Sequence, residues 1–134
     1  MNYWLVKSEP SAYSWDNFKA EGLTIWSGIR SYAARNHLRE MKKGDLVLFY
    51  HSGEGKEVVG VAKVSKENFQ DPTTTEQAWL AVELKPVKKL KKNITLEQIK
   101  KEPRLKNIPL ITISRLSVMP LKKEEFELIT ELSA

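Results

Sequence analysis

Residues 2–7, NYWLVK, form a short apolar run stopped by Ser8-Glu9-Pro10, the pattern of a buried first strand. Ser14 opens a helical stretch, SWDNFKAE, that Gly22 closes in the C′ position. LTIW at 23–26 is a brief extended piece before Ser27-Gly28, and a helix is expected from about Arg30 to Met41. In that helix Ala34, Leu38 and Met41 make an apolar stripe at i, i+4 and i+7, flanked by Ala33 and His37. Tyr32, Asn36 and Arg39 fall on the opposite side.

After the turn Lys42-Lys43-Gly44-Asp45, LVLFY is apolar at every position rather than alternating. Such a strand is buried on both faces or belongs to a closed barrel. HSGEGKE links it to VVGVAKV in a hairpin, where Gly60 marks a close approach of another group to the backbone. NFQDPTTTE at 68–76 reads as a polar loop and AWLAVELKPV as the next strand. Thr95 and Gln98 form a capping box for TLEQIKKE, which Pro103 halts. IPLITISRLSVM at 108–119 reads as a strand whose alternate positions are Ile111, Ile113, Arg115 and Ser117. EEFELITEL closes the chain as an amphipathic helix docking Phe126, Ile129 and Leu132. The expected architecture is one α+β domain over 1–134: a small mixed β-barrel of five or six strands with peripheral short helices.

Composition narrows the chemistry. With no cysteine among 134 residues there is no disulfide, thiolate metal site or cysteine nucleophile, and His37 and His51 are the only imidazoles. No cluster suits a metal. The sequence lacks a run long enough for a membrane span, and its start does not resemble a signal peptide, so a cytoplasmic protein is expected. The net charge is +5, yet residues 85–106 carry nine basic side chains against Glu97 and Glu102, leaving the rest at −2. Lys88, Lys89, Lys91 and Lys92 in that run, together with Arg30, are candidates for phosphate contacts, although a lysine run also makes a solvated face.

Three catalytic patterns fail on context. SGEGKE lacks the spacing and the following helix of a phosphate loop. His51-Ser52 has no nucleophile elbow, and the carboxylates show no distinctive pair. Of four tryptophans, Trp26 stands apart, because it precedes Ser27-Gly28 and Arg30 at a loop-to-helix junction where a ring can serve as a stacking surface. Lys7-Ser8 and Arg115 place polar groups at strand ends, where they can converge on one rim.

WLVKSEP, IWSGIRSYAARNHLREMKKGDLVLFYHS, VVGVAKV, the DPT loop and SRLSVMPL together resemble the EVE domain of the PUA-like superfamily, over nearly the whole chain. The resemblance is to a stand-alone bacterial member, without the long basic N-terminal extension of eukaryotic ones. It implies a PUA-like barrel, related to the YTH domains that read methylated adenine in RNA. The implied function is a non-catalytic, cofactor-free module that holds a modified base, such as methylated or hydroxymethylated cytosine, in DNA or RNA. By motif, Trp26 becomes the wall against which the base stacks, with Lys7 and Ser8 on the rim. Asn36, His51, Ser52, Arg115 and Ser117 supply polar contacts or pocket structure, and Phe69 is a candidate second wall. Three alternatives stay open: an RNA-binding module indifferent to modification, an enzyme acting on a base with His51 as acid/base, and an interaction scaffold. A monomer with no metal and no membrane partner is expected.

Overall fold

A computed structural model describes residues Met1 to Ala134. The elements in order are β1 (Tyr3–Ser8), α1 (Trp15–Glu21), β2 (Thr24–Trp26), α2 (Tyr32–Glu40), β3 (Leu46–His51), β4 (Glu57–Gln70), β5 (Leu80–Thr95), α3 (Leu96–Lys101), α4 (Pro109–Thr112), β6 (Val118–Leu121) and α5 (Lys123–Leu132). A single 3₁₀ turn, Pro103–Leu105, separates α3 from α4. No helix is long and apolar enough to cross a membrane.

The six strands form one mixed sheet in the order β2-β5-β4-β3-β1-β6. β1 and β3 are parallel, with Tyr3 opposite Leu46 and Ser8 opposite His51, and every other pairing is antiparallel. The continuous apolar run of β3 is explained by its interior position between β1 and β4, both of its faces being covered. Gly60 is a close-approach point as the sequence indicates. A Cβ built there would stand 2.5 Å from Trp15 Cζ3, so the α1 indole lies directly on the β4 backbone. Phe18 of α1 stacks on Phe49 of β3 at 5.4 Å beneath it.

The sheet is α+β but does not close into the expected barrel. β2 and β6 are its two edges, with three and four residues respectively, too short to complete a ladder, and Pro120 removes one donor from β6. It curls strongly all the same, because four register irregularities between β4 and β5 bend the two longest strands. First and fifth in sheet order, β2 and β1 therefore face each other across an unclosed seam.

Three other expectations need correction. The 68–76 loop begins later, since β4 runs to Gln70, and β5 continues through the lysine run to Thr95. The 108–119 strand is instead a one-turn helix, a turn and the short β6. Pro109 supplies the pre-set first helical residue, Leu110 is buried, and Ile113 turns out to solvent with 52% exposure, which breaks the alternation. In α5, Phe126 and Ile129 are buried but Leu132 is exposed, its place in the core being taken by Leu128.

Candidate nucleic-acid interface

The seam holds a cavity of about 330 Å³ at the ends of β1 and β2. Lys7 and Ser8 line it from β1, Glu9 and Tyr13 from the turn that follows, Thr24 to Trp26 from β2, and Ser27 and Ile29 from the next loop. The mixture of an indole, a phenol, aliphatic groups and a few polar ends is that of a site for a flat, partly polar ligand.

Each wall is fixed from behind. Trp26, only 8% exposed, meets the Phe49 ring edge-on at 5.6 Å and the Tyr13 ring at 6.4 Å. The Glu9 carbonyl accepts from the N–H groups of Ala12 and Tyr13, closing the turn that carries Tyr13. Ser8 Oγ donates to the Tyr13 carbonyl, and the Tyr13 hydroxyl donates to Glu21. Burial and then that bond push the Tyr13 phenol up to about 12, so it stays protonated.

The second wall hangs on Asp71. This fully buried carboxylate accepts from Gly28 N–H at 2.8 Å, Arg30 Nη1 at 3.0 Å, and both the N–H and hydroxyl of Thr73. Burial alone raises its pKa, but the bonds from Thr73, Gly28 and Arg30 outweigh that and hold it well below the usual carboxylate range. The DPT loop thereby fastens the Ser27–Arg30 loop in place. Gly28 itself has φ +79°, a backbone state that a side chain would strain.

The candidate residues divide accordingly. Trp26, Lys7 and Ser8 come together in the cavity. His51 and Ser52 adjoin it from behind: Ser52 N–H donates to the Ser8 carbonyl, and His51 Nε2 accepts from Trp15 N–H at 3.0 Å. Burial lowers the His51 pKa, and the ring accepts from the N–H of the first residue of α1. Arg115 is exposed on a turn, not on a strand as expected. That turn borders the cavity through its backbone, for Lys7 Nζ donates to the Ser114 carbonyl at 2.7 Å and Lys7 N–H to that of Ser117. Burial lowers the Lys7 pKa.

Asn36 and Phe69 are not brought into the cavity. Asn36 Oδ1 accepts from Arg35 on the exposed side of α2, and Phe69 lies at the end of β4 under the Lys66 ammonium. Arg30, a phosphate candidate, is bound to Asp71 and Thr73 and sits over the Trp79 ring. Sequence reading missed Tyr13, Glu9 and Asp71; the Asp-Pro-Thr turn signature was the available signal for the last.

Lys88, Lys89, Lys91 and Lys92 are exposed along β5. Register carries Lys89 to Gly60, Phe49 and Val6 in successive strands, so Lys89 lies three strands away from the β1 residue next to Lys7.

The EVE domain model matches residues 2–132. The chain belongs to the EVE domain family. It is 35% identical to mouse thymocyte nuclear protein 1, over 98% of this chain and 73% of that protein. The NMR structure of Rpa0253 from Rhodopseudomonas palustris is 43% identical and superposes with a TM-score of 0.95, over 99% of this chain and 93% of that one. A crystal structure of human THYN1 protein in complex with 5-methylcytosine-containing DNA is 32% identical, with a TM-score of 0.92 over 99% of this chain and 98% of that one. The YTH domain of Zygosaccharomyces rouxii MRB1, at 18% identity and a TM-score of 0.60 over 98% of this chain and 86% of that one, shares the PUA-like fold.

Proposed function

We propose that this EVE domain reads a modified cytosine in DNA, without catalysis and without a cofactor, by holding the extruded base in the seam cavity against Trp26. The carrying observation is the cavity itself: an indole and a phenol, each fixed from behind, facing a polar strand end. The human relative bound to 5-methylcytosine-containing DNA supports the choice of base. Extruding a base costs a few kcal/mol, and stacking on an aromatic side chain returns about 1–3 kcal/mol, so the β5 lysines supply the remaining affinity through phosphates.

An enzyme reading with His51 as acid/base fits less well, since its Nε2 is occupied by the Trp15 N–H. The proposed reader works in the cytoplasm as a monomer. The test is titration of the protein with single-stranded and duplex oligonucleotides, plain or carrying one 5-methylcytosine, 5-hydroxymethylcytosine or N6-methyladenine. Selective binding of a modified cytosine supports the reader; equal binding of all makes it a general nucleic-acid module.

A further inference from the structure

The hydrogen-bonding groups of the cavity differ in whether their sign can change. Thr24 and Ser27 carry hydroxyls, which donate or accept as a ligand requires. The hydroxyl protons of Ser8 and Tyr13 are already given to the Tyr13 carbonyl and to Glu21. Three side chains have a fixed sign, the first being Trp26, whose indole N–H only donates. Lys7 only donates, and one of its three N–H bonds is used by the Ser114 carbonyl. Glu9, as a carboxylate, only accepts, and it receives no hydrogen bond or ion pair from any protein group.

The Glu9 side chain is exposed, on a turn whose backbone is held. The residue's carbonyl is held by Ala12 N–H at 2.9 Å and Tyr13 N–H at 2.8 Å. Its side chain lies over Gly53 of the β3–β4 turn, where a built Cβ would be 3.4 Å from Oε1. Gly53, at φ +70°, leaves the room in which that carboxylate rests.

An acceptor and a donor of fixed sign lining one cavity match one kind of base edge. Cytosine presents its N4 amino donor next to the N3 acceptor. Thymine and uracil present the O4 acceptor next to the N3–H donor, the reverse order. The distinction matters because thymine and 5-methylcytosine carry the same C5 methyl group, so an aromatic wall and a methyl-sized space cannot tell them apart.

We propose that Glu9 is the specificity-determining residue that restricts the cavity to amino-bearing pyrimidines, accepting the N4–H of cytosine while Lys7 donates to the ring acceptor, and so rejects thymine and uracil. This rests on the base-reading function proposed above. Thymine would face the carboxylate with O4, leaving two acceptors opposed and the Lys7 donor against N3–H.

The test measures binding of four oligonucleotides that differ only at one central position, bearing 5-methylcytosine, cytosine, thymine or uracil, in fluorescence anisotropy with the wild type and Glu9→Gln. The wild type is expected to bind 5-methylcytosine at least tenfold more tightly than thymine. Glu9→Gln, which offers an amide able to donate to O4, is expected to shrink that ratio to under threefold while leaving the ratio of 5-methylcytosine to cytosine in place. An unchanged 5-methylcytosine-to-thymine ratio in Glu9→Gln, with native circular dichroism, overturns the assignment. So does a wild type that binds thymine as well as 5-methylcytosine, whatever the variant does. Failure of the reader function reads differently: cytosine and 5-methylcytosine bind alike, while both still exceed thymine. No binding of any oligonucleotide overturns both.

Discussion

Gly28 and Asp71, 43 residues apart, are joined by a 2.8 Å hydrogen bond that ties the loop after Trp26 to the turn after β4. Through it a buried carboxylate governs the position of a cavity wall it does not itself line. Asp71→Ala leaves the Gly28 and Thr73 N–H groups without their acceptor and is expected to destabilise the fold by about 1–3 kcal/mol. Urea unfolding measures this, and unchanged stability would mean that water replaces the carboxylate at no cost.

The same residue sets an acid response. Its pKa is depressed in the folded chain, so its contribution to stability is complete above the ordinary carboxylate value, about 4, and is lost as pH falls from there through the folded value. The stability gap between wild type and Asp71→Asn should therefore be widest near neutral pH and close in strong acid. A gap independent of pH would assign the effect to shape rather than charge.

Trp26→Ala removes the stacking wall. Affinity for the modified base is expected to fall by the equivalent of about 1–3 kcal/mol, with the preference for modified over plain DNA abolished. The ring is also 92% buried by difference from its 8% exposure, so circular dichroism must accompany the titration. Retained preference in a folded variant would remove Trp26 from the site.

Neutralising Lys88, Lys89, Lys91 and Lys92 to glutamine is expected to weaken plain and modified duplexes alike. If all four meet phosphates, the slope of log affinity against log salt drops by about 3–4. An unchanged slope would make this stretch of β5 a solvated face.

His51 offers a prediction that separates support from catalysis. Burial lowers its folded pKa below the ordinary value near 6.5, with Glu57 pulling the other way, so neutral His51 contributes stability that is present above that value and lost as pH falls through the folded one. His51→Ala, which leaves Trp15 N–H unpaired, should cost about 1–3 kcal/mol of stability and remove this pH dependence. Detection of a base-modifying activity that vanishes in the variant would instead favour an enzyme.

The parts of the fold that local pattern governs were legible from residues alone. The capping box at Thr95, the Gly22 terminus and the close approach at Gly60 each follow from one residue's geometry. The 108–119 segment was not, because alternation of β-branched residues mimics a strand, while Pro109 and the burial of Leu110 favour a single helical turn. Closure into a barrel was equally beyond local pattern, depending as it does on whether two edge strands are long enough to pair. For the site, Trp26 and the Lys7-Ser8 pair could be read because they sit at visible junctions. Glu9 and Tyr13 could not, since only the turn between them folds both toward the ring.

The open seam separates two jobs that a closed barrel would force onto the same residues. Because β1 and β2 do not pair, the groups at their ends are not needed to hold the sheet together, and the loops that present them are anchored elsewhere, by Asp71 and by the Glu9 carbonyl. Under the proposed reading, the letters at Glu9 or Ser27, whose side chains make no hydrogen bond within the fold, are exchanged for a new base preference while the melting temperature scarcely moves. What the gap between two strands provides is room to evolve: a rewritable vocabulary on an unaltered page.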